Sequence, residues 1–348
     1  MSSQRAGEMV HFMVEDPAGG IPGAGERFDG PLFIVGMPRS GTKLLRTLVN
    51  RHSQVGLPEY ESHFIPFYAR SGLNWERLRD PQRFHRFHRR IARSNFGRGL
   101  GAELPSAERW RGAVREWSCA GVMEALFRLF AQARGKRIWG DKTPLYLREL
   151  PLLSTLYPGA RFVHIVRDVR DYCLSARAAW GKHPLRAAQR WHDDVAACRR
   201  AGAELGPARY LELRYEDLLT DPERLMRRLS AFLGLPYEPA TTVPDKDAEN
   251  LGAARGARRI VSGNTAKWRS AMSAREIARI EAICAPVLRD CGYPLGHHRG
   301  PARRVSRLRL GALRAGDALR MARHVLGAEA RFTDALRSLR GKFIYRTR

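Results

Sequence analysis

Apolar residues come in short bursts along this chain, and most bursts are followed by a helical period. "PLFIVGM" (31–37) is a buried-strand pattern that breaks at Gly36 and Pro38 into a tight loop. "SGTKLLRTLVNRH" then places Leu44, Leu45, Leu48 and Val49 at helical steps, so 31–52 reads as strand, loop, helix. "QVGLPEYESHFI" carries a second short strand and a charged turn. Residues 66–135 read as mostly helical, with Trp110, Val114, Trp117, Val122, Leu126 and Leu129 near one stripe that Gly135 closes. "KRIWGDKTP" is a strand breaking at Gly140, with Pro144 limiting the loop. "ARFVHIVRD" (160–168) is an apolar strand with a charged end, and "VRDYCLSARAAW" starts the next helix. "ARYLELRYEDL" (208–218) and "DPERLMRRLSAFLGL" repeat the pattern. Strands alternating with helices predict a parallel sheet covered on both faces.

Two segments differ. Residues 240–266 lack periodicity and are rich in Gly and Ala, which suits a loop covering substrate or nucleotide. In 303–330, Val305, Leu308, Ala312, Ala315, Leu319, Ala322 and Leu326 recur at three- and four-residue steps, with arginines on most other faces. This predicts a basic amphipathic helix suited to an anionic membrane surface or to pairing of two copies. The expected organisation is a mobile Gly/Pro-rich lead-in over 1–30, one domain over 31–298 and a basic helical extension over 299–348.

Composition narrows the setting. The 348 residues are 44% hydrophobic, enough for one large α/β core with an appendage. No apolar run reaches the ~20 residues that span a bilayer, and the N-terminus lacks the apolar centre of a secretory signal. The five cysteines are odd in number and form no C-x-x-C pair, which argues against a disulfide framework or zinc site and fits a reducing cytoplasm. The heavy use of Arg and Ala with little Lys suggests a GC-rich bacterial genome. The net charge is +26, and from Arg299 onward 14 Lys/Arg face 3 Asp/Glu. This favours an anionic partner. Specific nucleic-acid recognition is not expected, because the arginines are not interleaved with stacking aromatics and no helix-turn-helix or zinc pattern is present.

The chemistry begins at "FIVGMPRSGTKLLR" (33–46). Gly36 and Gly41 have the spacing of G-x-x-x-x-G-K-[ST], but Thr42 and Lys43 follow in reversed order. Such a strand–loop–helix offers backbone N–H groups and a helix N-terminus to a phosphate. A P-loop kinase or NTPase needs Lys directly after the second Gly and a metal-binding Asp at a second strand end. Here "FVHIVRD" puts Arg167 at that end. A cation there suits a second phosphate, so the loop reads as a site for a nucleotide with two separated phosphate groups and no need of Mg²⁺.

Taken together, two motifs carry a family resemblance. "GMPRSGTKLLR" resembles the 5′-phosphosulfate loop of sulfotransferases, which use 3′-phosphoadenosine-5′-phosphosulfate (PAPS). "VRDVRDYCLS" resembles their 3′-phosphate motif, with Arg167 and Ser175 eight residues apart. The likeness is to the branch of tyrosylprotein and bacterial small-molecule sulfotransferases, extends through "WGDKTP", "RYEDLLTDP" and "AKWR", and covers roughly 31–295. Lys43 departs from it, since that branch more often has Thr there.

The resemblance implies a three-layer α/β/α P-loop-type fold on a short parallel sheet, with PAPS as co-substrate and no metal. It implies that Arg39, with the backbone of Ser40, Gly41, Thr42 and Lys43, holds the 5′-phosphosulfate. Arg167 and Ser175 would hold the 3′-phosphate, with Lys267 closing over it and Tyr215 touching the nucleotide. Glu61 of Glu61-Ser62-His63 would be the base, with Glu59 or His63 as alternatives. Lys142 would stabilise the leaving oxygen, with Lys43 as a second candidate and a local pair with Asp141 as the plain structural alternative. The acceptor would be a hydroxyl on a small molecule, sugar or lipid, its pocket walled by 64–135.

Overall fold

The computed structural model describes residues 27–247 and 256–326. Five parallel strands form the central sheet: β1 (Leu32–Gly36), β2 (Val55–Gly56), β3 (Ile138–Lys142), β4 (Arg161–Val166) and β5 (Tyr210–Arg214). Their order is β2-β3-β1-β4-β5. β1 is buried at every position because it packs on both faces. Leu32 and Ile34 enter the core shared with helices Thr42–Val49 and Pro222–Leu233. Phe33 and Val35 enter the opposite core, with helices Cys119–Gln132, Val169–Trp180 and Pro184–Leu205. This is the three-layer α/β/α arrangement, and the alternation of β1 side chains between two cores is its direct cause.

The chain leaves β1 toward β2 and β3, then crosses to β4 on the other side. Strand order therefore reverses beside β1, and a crevice opens at the carboxyl ends of β1 and β4. Register brings the chemistry to this edge. Ile34 pairs with Lys142 and Gly36 with Ile165, so the ends of β1, β3 and β4 lie together.

One expectation changes. The stripe over 110–129 is not one helix. Helix Ala107–Gly112 stops, and helix Cys119–Gln132 starts afresh with the Ser118 side chain accepting the Gly121 N–H. A serine cap outweighed the continuing apolar period. The C-terminal helix is present over Arg307–Leu326, and the middle of its predicted stripe faces away from the domain, as a surface for a membrane or a second copy requires. Leu308 is 89% and Leu319 is 54% exposed, whereas Val305 and Leu313 pack against the core. Buried Asp317 sets this orientation by accepting from the His183 N–H and pairing with Arg186. The extension is also tied down where it begins, as the Arg303 N–H donates to Ala282 O at 2.7 Å and the Val305 N–H to Gln189 Oε1 at 2.9 Å. The lead-in over 1–26 and the end of the extension, from 327, lie outside the described residues.

Close approach of β1 and β3 depends on one glycine. A Cβ at Gly140 would lie 1.9 Å from the Leu32 carbonyl oxygen. Gly140→Ala is expected to destabilise the fold by about 3 kcal/mol, since the backbone of a central strand must move. Urea denaturation followed by circular dichroism checks this, and an unchanged midpoint would contradict the packing described.

Candidate active site

The loop after β1 is shaped for an anion. Arg39 (φ 79°) and Gly41 (φ 86°) both adopt left-handed backbone, and the Ser40 N–H between them donates to the Met37 carbonyl at 3.0 Å, closing a tight turn. A side chain at position 41 would also collide with the Tyr215 ring, 2.3 Å from its Cβ. Helix Thr42–Val49 begins at Gly41 with no side-chain cap, so its first N–H groups remain available to a ligand. Ser40 is fully buried and its Oγ has no hydrogen-bond partner among the described residues. Thr42 is buried and Lys43 half-buried at the mouth of the same helix.

β4 brings the second motif to this loop. Arg167 is buried and follows the last residue of β4. It donates through Nη1 to the Arg39 carbonyl at 3.0 Å and through Nη2 to the Asn264 carbonyl at 3.1 Å. Ser175, two turns into helix Val169–Trp180, accepts from Arg39 Nε at 3.1 Å. Residues 136 positions apart thus share one hydrogen bond. Tyr215 lies beneath, with the Arg167 guanidinium 4.5 Å from its ring centroid and its hydroxyl accepting from Asn264 Nδ2 at 2.8 Å. Tyr215 is both a core residue and a wall of the loop.

The segment after Asn264 runs across Arg167 toward Asp171, whose Oδ1 accepts the Trp268 N–H at 3.0 Å. Half-buried Lys267 precedes that contact. Its distance from the phosphate loop is not fixed by any hydrogen bond, so it is near the crevice by chain position alone. Within the aperiodic stretch 240–266, residues 248–255 lie outside the described residues, and Asn264 contacts both Arg167 and Tyr215. Asp168 and Arg170 make a local pair, which is buried and extends to Glu281.

A separate cluster forms beside β3. Lys142, 5% exposed at its side chain, donates from Nζ to Glu61 Oε1 at 2.8 Å. His63 Nε2 is 2.9 Å from Glu61 Oε2. Burial pushes the Glu61 pKa up, but the His63 hydrogen bond and the Lys142 charge outweigh it and hold the carboxyl at about 2. Lys142 does not pair with Asp141, because adjacent strand residues point to opposite faces. Asp141 is fully buried and accepts from Ser62 Oγ at 2.6 Å and Thr143 Oγ1 at 2.8 Å. Burial raises its pKa to about 6, in spite of those two hydrogen bonds. Ser62 also meets Tyr146 Oη at 2.7 Å, and its N–H donates to Thr143 Oγ1 at 3.0 Å. The loop carrying Glu61 is therefore pinned to the end of β3. Glu59 is turned elsewhere, toward buried Arg46 (4.0 Å) and Lys246.

Sequence reasoning missed Asn264, the Asp141–Ser62–Thr143–Tyr146 network and Arg46. "GDKT" placed an acid beside Lys142, which was the one available signal. The partner of Asp141, 79 positions earlier, could not be read from it.

A parallel α/β fold with a phosphate loop at the switch point, and a Lys–Glu pair beside it, defines a nucleotide-dependent transferase type of site. A family model described as "Sulfotransferase family" matches residues 31–239, more than half of the chain. The chain therefore belongs to the sulfotransferase family. Protein-tyrosine sulfotransferase A of Caenorhabditis elegans is 22% identical over 277 residues, covering 75% of this chain and 67% of that protein. Nodulation protein NoeE of Sinorhizobium fredii is 24% identical, covering 75% and 65%. Carbohydrate sulfotransferase 7 of Mus musculus is 38% identical over 113 residues, covering 30% and 22%. The chain thus spans between about a fifth and two thirds of these curated relatives. Among solved structures, the sulfotransferase domain of the Synechococcus olefin synthase has a TM-score of 0.52 at 23% identity, covering 78% of this chain and 98% of that domain. The sulfotransferase domain from the curacin biosynthetic pathway has a TM-score of 0.52 at 22% identity, covering 78% and 100%. These likenesses agree with the fold.

The Glu61 carboxyl is held below its unfolded value, so its stabilising contribution is present above about pH 4.5 and lost as pH falls through about 2. Lys142→Met removes one of the groups holding it down. The Glu61 titration midpoint is expected to rise by at least ~1 pH unit, read by carbon-13 NMR of the side-chain carboxyl. An unmoved midpoint would show that the ammonium does not act on Glu61.

Proposed function

We propose that the protein transfers a sulfuryl group from PAPS to a hydroxyl acceptor, by in-line displacement with Glu61 as the base. The observation that carries this is the hydrogen bond from Arg39 to Ser175, which joins the two phosphate motifs in one crevice. The crevice also suits the donor chemically. Arg167 Nε and Ser40 Oγ are buried polar atoms with no partner among the described residues, and phosphate oxygens would satisfy them.

Bound, the donor supplies the sulfuryl group and a bisphosphate leaving group. Arg39, the Ser40 hydroxyl and the amides of Gly41 to Lys43 hold its 5′ end, and Arg167, Ser175 and Lys267 its 3′ end, with Tyr215 against the nucleotide. Glu61 takes the acceptor's hydroxyl proton as the new O–S bond forms. The S–O bond to the leaving phosphate breaks, and Lys142 donates to the oxygen released. Lys43 is a second donor there.

A carboxylate held at about 2 is a weak base, and Lys142 is one cause. Drawing the ammonium toward an anionic donor frees Glu61 and raises its pKa. The same lysine thereby couples donor binding to base strength. The acceptor is a hydroxyl on a small molecule, sugar or lipid. We also infer that the extension docks on an anionic membrane surface, since exposed Leu308 and Leu319 lie among exposed Arg307, Arg309 and Arg314.

Calorimetry with adenosine 3′,5′-bisphosphate in EDTA tests the donor site. Binding is expected in the wild type, with affinity lost by at least about tenfold in Arg39→Ala and in Arg167→Ala. Undiminished affinity in both variants would overturn the assignment. Lys142→Ala is expected to keep bisphosphate binding and to lose about 10²-fold or more in turnover. Turnover is read by mass spectrometry as the gain of one sulfuryl group on an acceptor, and near-normal turnover would remove Lys142 from the chemistry. For the extension, co-sedimentation with anionic but not neutral vesicles is expected; equal recovery with both, or a dimer without vesicle binding, would refute the docking.

A further inference from the structure

Four residues after Glu61 the chain enters helix Ile65–Ala69. This helix, the turn Trp75–Arg79 and helix Pro81–Ala92 border a groove of about 490 Å³. Phe67, Tyr68, Leu78 and Phe87 form its apolar floor, with the Tyr68 and Phe87 rings edge to face at 5.2 Å. The groove also has a charged rim. Arg83, Arg86 and Arg90 line it from positions i, i+3 and i+7 of one helix, and so from one helical face.

Some arginines nearby are neutralised and others are not. Arg70 and Arg79, on the adjoining segments, pair with Glu149 and Glu76. Arg83, Arg86 and Arg90 are exposed, and none has a carboxylate within 4.0 Å among the described residues. Helix Pro81–Ala92 itself contains no acidic residue. Three like charges on one face repel each other, and an anion at the rim relieves that repulsion. An apolar ligand alone would leave the arginines without a role. A bare inorganic anion would leave the aromatic floor without one.

We propose that this groove binds the acceptor, and that the acceptor is a small anionic amphiphile. Its aliphatic or aromatic body lies on the floor, its carboxylate, phosphate or sulfate meets the three arginines, and its hydroxyl is directed to Glu61. The volume falls in the range of small-molecule sites. The geometry is fixed between the two regions, because buried Phe64 packs on Tyr68 and Phe96 at ring distances of 6.4 and 5.3 Å. Phe67 is six residues from Glu61, within ~20 Å even for extended chain, a distance that an amphiphile and its hydroxyl arm can bridge. This inference rests on the reading of Glu61 as the base.

Fluorescence titration tests it with 1-anilinonaphthalene-8-sulfonate and its uncharged analogue N-phenyl-1-naphthylamine. Arg83→Ala/Arg86→Ala/Arg90→Ala is expected to weaken the sulfonate by about tenfold or more and the neutral probe by less than about twofold. Leu73→Asp, at the half-buried edge of the floor, is expected to weaken both. Equal sulfonate affinity in the triple variant, parallel loss of both probes in it, or unchanged binding of both probes in Leu73→Asp would each overturn the proposal. Calorimetry with adenosine 3′,5′-bisphosphate on the same samples reports separately on the donor site. Its failure in the wild type would strike the function proposed above, whereas intact donor binding with charge-blind probe binding would strike the groove alone.

Discussion

The guanidinium of Arg167 holds the crevice together. It sits at the end of β4, is almost wholly buried, and reaches across to the backbone carbonyl of Arg39. That contact ties the loop after β1 to the neighbouring strand. Its own carbonyl is held by Trp191 Nε1, and the Asn264 carbonyl covers it from the far segment. Its hydrogen bonds among the described residues go to neutral carbonyls, and the negative charge that acts on it from the next helix is that of Asp171.

Beneath Arg167 the structure is stiff. Arg170 is bound bidentately by Asp168 and also reaches Glu281, whose carboxylate accepts the N–H groups of Gly296, His297 and His298. On the other side of β1, the Asp141 network fixes the loop that carries Glu61. The Arg39–Ser175 contact and the Lys142–Glu61 pair are therefore mounted on separate supports at the carboxyl ends of the strands. Chemistry that depends on placing a proton acceptor and a cation on opposite sides of a transferred group needs such supports.

The large positive charge divides into different kinds. Some arginines are structural, such as Arg148 with Asp194 and Arg170 with its two acids. Arg39 and Arg167 face the crevice. A third set, Arg83, Arg86 and Arg90 on helix Pro81–Ala92 and Arg307, Arg309 and Arg314 on the C-terminal helix, is exposed and has no carboxylate within 4.0 Å among the described residues. Net charge alone could not separate these, because pairing depends on residues far apart in the chain.

The strands, the glycine loop and the positions of Arg39, Arg167 and Ser175 were legible in the sequence, since strand ends and loop glycines are set by local backbone and side-chain period. The surroundings of Glu61 and Glu59 were not: Arg46 and Lys246 draw Glu59 away while Lys142, on a strand some eighty residues later, reaches Glu61. The break at Ser118 was visible as a cap but was overruled by a continuous apolar stripe. The contacts that hold the C-terminal helix in place were invisible, because Asp317 meets His183 and Arg186 only once the helix is packed. What the sequence determined by itself was which elements form and which residues lie at their ends, through short-range sterics and periodicity. Tertiary structure alone decided which charges meet, because an ion pair's value depends on burial and on partners brought together by strand order and register.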